Sequence, residues 1–297
     1  MPNFEFYSNK VNDFFLGNYV ITSGSEVPDA SQISFGKNGK EMELVMLFID
    51  LRESTRIVDS FRRQTAAKMY KSFLWGISQI ANKNGGKLRS FNGDGVLVVF
   101  AGEDKSNKAV RAALQMSYFV TDILKPKVDA YMRTNNDLVN MTLGFGIGID
   151  IGQVLVVKGG FKGDNNNDLV WVGNPTNYAV KLSNISGSGI GHIRIMKAVY
   201  DDLIGNNKYS TQLGLKVDIW KLAELSIPIK IVASPKPLQT PNLLASMRLL
   251  PPKRPLSTGL AGVTSSLNSL TGVPNKVQLQ SLKIYYHTSW RQSFIKS

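Results

Sequence analysis

The chain of 297 residues carries a net charge of +13, is 43% hydrophobic and contains no cysteine. That length holds one large domain, or a domain of roughly 200 residues with an appendage. The absence of cysteine excludes disulfides, thiolate catalysis and cysteine zinc sites, and two histidines, His192 and His287, are too few for a histidine metal cage.

No apolar run approaches the ~18 residues of a membrane span. The first residues have neither the basic n-region nor the apolar h-region of a signal peptide. The expectation is a cytoplasmic protein with no membrane span. The charge is uneven, since nine Lys or Arg follow Glu224, the last acidic residue, and leave +4 for residues 1–224. The basic balance therefore describes a tail, which argues against nucleic acid as the partner of the fold itself.

Residues 1–40 show weak periodicity and end in Gly36-Lys37-Asn38-Gly39-Lys40, a loop signal. A mostly apolar run at about 43–51 predicts a strand buried on both faces, ending in Asp50. Ser54 or Thr55 then caps a helix whose Ala66, Met69, Tyr70, Phe73, Leu74, Ile77 and Ile80 form one stripe. Asn84-Gly85-Gly86 stops that helix. A hairpin of strands 87–91 and 96–100 follows, with Asn92-Gly93-Asp94-Gly95 at its tip. A second helix runs from Asp104 or Ser106 to about Lys125, where Pro126 ends or kinks it.

Residues 141–150 form a strand with Gly144, Gly146 and Gly148 on one face, against which something packs closely. Ile151-Gly152 reads as a turn into a further strand at 153–157, with Asp150 as a turn residue. A polar loop at 163–168 leads to a strand at 170–172. Asn174 caps the next helix with Pro175 at its first position, and that helix carries Asn177 and Lys181 before Gly187-Ser188-Gly189. A strand at about 190–195 and a helix at about 197–204 complete the pattern. This order predicts an α+β fold with a mixed, mostly antiparallel sheet flanked by helices. Six prolines fall between Pro235 and Pro255, and a β-like run returns at 277–287. The expected domains are an N-terminal segment (1–41), a catalytic domain (42–234) and a Pro-rich linker with a basic extension (235–297).

A strand-end carboxylate, Asp50, and a hairpin-tip carboxylate, Asp94, can converge on one spot, which suits a hard divalent cation shared with substrate phosphates. Read singly, Asp50 fits a helix cap and Asp94 a turn. Arg52 and Arg89 fit ion-paired or solvated arginines as well as phosphate or base contacts.

Four motifs resemble, in order, those of class III nucleotide cyclases over residues 42–205. They are Phe48-Ile49-Asp50-Leu51-Arg52-Glu53-Ser54-Thr55, Phe91-Asn92-Gly93-Asp94-Gly95, the run from Gly146 through Asp150 to Gly152, and the run from Val172 through Asn177 to Lys181. The resemblance implies attack of a ribose 3′-hydroxyl on the α-phosphorus of its own nucleoside triphosphate, with pyrophosphate expelled. It implies two ions per site, Mn²⁺ or Mg²⁺, held by Asp50, Asp94 and the backbone carbonyl of Leu51. Arg52, Glu53, Ser54 and Thr55 then fall at a helix opening whose N–H groups suit phosphate oxygens. Asn177 matches the ribose-orienting asparagine. Lys181 stands where the family usually has an arginine, supplying charge without the bidentate fork. In such enzymes the aspartates and the Asn/Lys pair come from opposite subunits, so a head-to-tail homodimer is implied.

At the base-selecting positions the sequence has Ser90, four residues before Asp94, and Val170, seven before Asn177. Neither is a usual purine contact of the family. That pattern is similar to the bacterial Pycsar antiphage cyclases, which make cyclic UMP or cyclic CMP. The resemblance thus implies a lyase acting on UTP or CTP, whose product serves antiviral defence through a separately encoded effector. The rivals are a purine cyclase with atypical base contacts and an inactive nucleotide-binding domain.

Overall fold

The computed structural model describes residues 3–134, 143–162, 166–185, 192–212, 215–228 and 280–288. The chain divides into two compact units, Met1–Glu224 with Ile284–Ser297, and Leu225–Lys283. In the second, the described residues are two strand ends, 225–228 and 280–283. The Pro-rich stretch, Gly187-Ser188-Gly189 and residues 163–165 of the polar loop lie outside the described residues.

The weakly periodic N-terminal segment contains a helix and a strand, and the loop expected at 36–40 gives way to strand from Asn38. Helix α1 (Phe4–Phe15) starts at Asn3, whose side chain accepts from Phe6 N, and buries none of its residues. Strand β1 (Val20–Ser23) pairs in parallel with the beginning of β2 (Asn38–Arg52). The sheet pairing lengthens β2 well before residue 43. Along β2 the period of two divides the core. Val45, Leu47, Ile49 and Leu51 belong to one cluster, and Leu44, Met46 and Phe48 to another.

The helical region after Asp50 is broken into α2 (Ser54–Ser60) and α3 (Arg63–Lys83). Glu53, left-handed at φ 54°, rather than Ser54 or Thr55, occupies the cap position. The α3 stripe faces the first cluster as its spacing requires, and Gly85 at φ +79° ends the helix. Strands β3 (Lys87–Asn92) and β4 (Gly95–Phe100) form the expected hairpin, with a bulge between Leu88 and Ser90. Helix α4 (Lys105–Tyr118) passes through a π-helical turn, Phe119–Leu124, into α5 (Lys125–Thr134). Pro126 therefore does not end the helical path, which continues through it in the first turn of α5.

Strand β5 (Gly144–Gly160) runs straight through Ile151-Gly152, so the expected hairpin there does not exist and Asp150 is a buried strand residue. The reason is pairing: β2 and β5 form one continuous antiparallel ladder from Gly39↔Val157 to Arg52↔Gly144. The turn comes later, between β5 and β6 (Asn167–Val172). Helix α6 (Asn174–Asn184) is capped by Gly173, one residue earlier than expected. Next come β7 (Ile193–Met196), α7 (Lys197–Asp201), the small hairpin of β8 (Tyr209–Gln212) and β9 (Leu215–Asp218), β10 (Lys221–Pro228) and β11 (Gln280–Thr288).

The main sheet has the order β10-β11-β7-β5-β2-β4-β3, with β1 beside β2 and β6 beside β5. It is α+β and mostly antiparallel, with parallel pairs only at β1–β2 and β5–β7 among the registers described. Residues 285–288 of β11 pair with β7, so the β-like run near the C-terminus joins the sheet. No helix among the described residues is long and apolar enough to cross a membrane.

Candidate active site

Asp50 lies near the end of β2, opposite Gly146 of β5, on the face shared with Phe48. Asp94 sits in the two-residue turn of the β3–β4 hairpin, beside Gly93 at φ +66°. Gly95 closes the gap between them: a Cβ there would meet Phe48 Cζ at 2.6 Å and Asp50 Oδ1 at 3.1 Å. The two carboxyl groups come within hydrogen-bonding reach of each other. Burial first, and then the negative charge of Asp94, push the Asp50 carboxyl up to about 6. Oδ2 of Asp94 is buried and has no hydrogen-bond partner.

Two carboxyl groups within hydrogen-bonding reach, one with an orphaned buried oxygen, are costly as they stand and fit a divalent cation. Among the described residues no group of three or more His, Asp or Glu assembles. An ion held here thus has two protein carboxylates and must complete its shell with backbone, water and substrate oxygens, a donor set natural for Mg²⁺ or Mn²⁺. The Leu51 side chain is hydrocarbon and part of the core, so its backbone carbonyl is the atom it could offer.

The other expected residues divide. Glu53, Ser54 and Thr55 flank the pair at the β2–α2 junction, where Glu53 forms an exposed ion pair with Arg56 at 3.0 Å. Arg52 has a different use from the phosphate contact expected of it. Its guanidinium donates to the carbonyls of Ser183, at 2.5 Å, Asn184, at 2.9 Å, and Ile185, at the C-terminus of α6. Arg89 lies 3.0 Å from Asp29, an ion pair.

Helix α6 buries Pro175, Ala179, Leu182 and Ser183 and leaves Asn177 and Lys181 exposed on its outer side. Lys181 Nζ stands 5.5 Å above the Tyr178 ring. The glycine face of β5 receives the helix: a Cβ on Gly148 would come 2.0 Å from the Ala179 carbonyl. Ser90 is half-buried at the β3 bulge, and Val170 is exposed on β6. In sheet order β4, β2 and β5 intervene between them, so Ser90 and Val170 of one chain are not neighbours.

Tyr70 was legible only as core. Burial and the charge of Asp94 raise its phenol above the usual tyrosine range, and its hydroxyl donates to the Ser54 carbonyl at 3.0 Å. An amphipathic ring in an apolar stripe was the available signal.

Comparison with known proteins finds relatives in sequence and in fold. The chain is 34% identical over 200 residues to the uridylate cyclase of Xanthomonas perforans, covering 67% of this chain and 83% of that protein. It is 33% identical over 212 residues to the uridylate cyclase of Burkholderia cepacia, covering 71% and 86%. Among solved structures, the guanylyl cyclase Cya2 superposes with a TM-score of 0.51 at 18% identity, over 66% of this chain and 89% of that one. No protein-family model matches.

Proposed function

The chain belongs to the class III nucleotide cyclases, in the family of the uridylate cyclases, and from that premise we propose that it converts UTP to cyclic UMP and pyrophosphate, with CTP as the alternative substrate. The observation that carries the reading is the convergence of Asp50 and Asp94 to within hydrogen-bonding reach, with the orphaned Asp94 oxygen. Asp50, Asp94 and the Leu51 carbonyl would hold two divalent ions, Mn²⁺ or Mg²⁺. When bound, these supply Lewis-acid stabilisation of the 3′-oxygen and the triphosphate. Residues 53–55 frame the triphosphate. Asn177 orients the ribose, and the Lys181 ammonium offsets charge that develops on the phosphates.

The outward placement of Asn177 and Lys181 supports a site completed by a second chain. Ser90 and Val170, which are not neighbours in one chain, also meet most simply across such a head-to-tail dimer. Neither offers a charged contact to a purine edge, which favours the smaller pyrimidine, and the names of the relatives favour uracil. A cyclic pyrimidine nucleotide made by a separate enzyme suits a second messenger read by an effector, here in antiphage defence.

The test is incubation of the full chain with each of the four triphosphates and Mn²⁺, with products identified by mass spectrometry. Cyclic UMP is expected to dominate, and Asp50→Ala or Asp94→Ala to reduce pyrophosphate release at least 100-fold. Faster turnover of ATP or GTP makes it a purine cyclase, and no pyrophosphate from any nucleotide makes it a binding domain.

A further inference from the structure

Arg52 follows Asp50 by two residues and so shares its face of β2. Its head group turns towards the end of α6. It donates to the carbonyls of Ser183, Asn184 and Ile185, while the buried Arg194 of β7 donates to that of Leu182 at 3.1 Å. The last carbonyls of a helix lack intrahelical partners and carry its negative dipole end. One planar guanidinium with five N–H donors can serve three of them; a lysine cannot match that fork.

The sheet is cut to admit this contact. The residues opposite Arg52 and Asp50 on β5 are Gly144 and Gly146. A Cβ on Gly146 would stand 2.0 Å from the Ser183 carbonyl and 2.6 Å from Arg52 Nη2, and one on Gly144 would stand 3.0 Å from Arg52 Cβ. The missing side chains open a lane through which the arginine reaches the helix.

We propose that Arg52 is a positioning residue that locks the strand bearing Asp50 to the helix bearing Asn177 and Lys181. This rests on the reading that each site takes its aspartates from one chain and its α6 from the other. Under that reading Arg52 acts on the site its chain completes for its partner, not on the site holding its own Asp50. Asn177 lies about 9 Å along the axis from Ser183, at 1.5 Å per residue, so a small tilt about the anchor moves the ribose and phosphate contacts. Misplacement by about 1 Å costs on the order of 100-fold in rate. The rival role is electrostatic: the positive charge of Arg52 holds down the carboxyl of its own Asp50.

Complementation separates the two. A chain with Asp50→Ala still donates a working α6, and one with Asn177→Ala still supplies working aspartates. Either homodimer is inactive, and the mixed dimer has one intact site. Arg52→Ala placed on the Asp50→Ala chain is expected to lower kcat of the mixture at least 10-fold with KM changed less than about 3-fold. Placed on the Asn177→Ala chain it is expected to change kcat less than about 2-fold. Equal losses in the two placements, or a larger loss in the second, overturn the proposal. Arg52→Lys, tested in both placements, gives the same asymmetry at smaller size if Arg52→Ala fails to fold. Absence of activity in the mixture with Arg52 intact removes the shared-site premise, and the proposal with it.

Discussion

At the scale of single residues, Asp50 and Asp94 were legible because a strand end and a hairpin tip are both marked locally, by an apolar run and by Gly93 and Gly95. Arg52 was not legible, because its partners lie 131 to 133 residues away and are backbone carbonyls. Its role depends on register and on glycines opposite it, which no local pattern reports. The aspartate pair also has a pH signature. Since burial and Asp94 raise the Asp50 carboxyl from 3.8 to about 6, the protonated form belongs to the folded state. That contribution to stability is full below pH ~4, the unfolded value, and is lost as pH rises through about 6. Metal-free protein at pH 7.5 therefore holds two like charges together, and Asp50→Asn is expected to raise its Tm. Mn²⁺ is expected to raise the wild-type Tm more at pH 7.5 than at pH 5, where protons compete for the carboxylate. Thermal scans of both proteins at the two pH values measure this, and an equal Mn²⁺ effect at both, or a lower Tm for Asp50→Asn, contradicts the electrostatic account.

At the scale of elements, the glycine face of β5 decides how closely α6 can approach. The alternation of Gly144, Gly146 and Gly148 announced a close neighbour, and α6 is that neighbour. The turn expected at Ile151-Gly152 failed for the opposite reason: its local signal was outweighed by the β2–β5 ladder. Gly148→Ala would set a methyl 2.0 Å from the Ala179 carbonyl, so backbone must shift and α6 with it. The expected cost is about 1–3 kcal/mol of stability, as for other overpacked positions, with kcat of the folded enzyme down at least 10-fold. Gly85→Ala is the control. It has open space around it but sits at φ +79°, so it costs about 1–2 kcal/mol through backbone strain and leaves kcat intact. Urea titration and initial rates on both variants make the comparison, and equal kcat for the two would show that the approach of α6 is immaterial to turnover.

At the scale of the whole molecule, composition draws the eye to a basic, proline-punctuated C-terminal region, yet burial singles out β11. Residues 285–288 pair with Ile193–Met196. Tyr286 stacks on Tyr200 with ring centroids 3.7 Å apart, and Thr288 Oγ1 donates to the Ile219 carbonyl at 2.6 Å. His287 is buried, and burial, followed by the charges of Arg194 and Lys221, lowers its affinity for a proton. The long sequence separation hid the pairing of this strand, since the β-like run at 277–287 reads the same whether it joins a sheet or not. A chain ended after residue 279 loses these contacts and bares the edge of β7, the strand beside β5. Such a truncation is expected to lower Tm by roughly 5–10 °C, on the basis of about 2–4 °C per kcal/mol for a domain of this size, and to promote self-association. Removal of residues 1–15 is the opposite case: α1 is a regular helix with exposed Phe4, Phe6 and Phe15 and no buried residue. Its loss is expected to leave Tm within about 2 °C. Calorimetry on the two truncations measures both, and the reverse ranking would mean that the fold draws its stability from the N-terminal helix and not from the strand that closes the β7 edge.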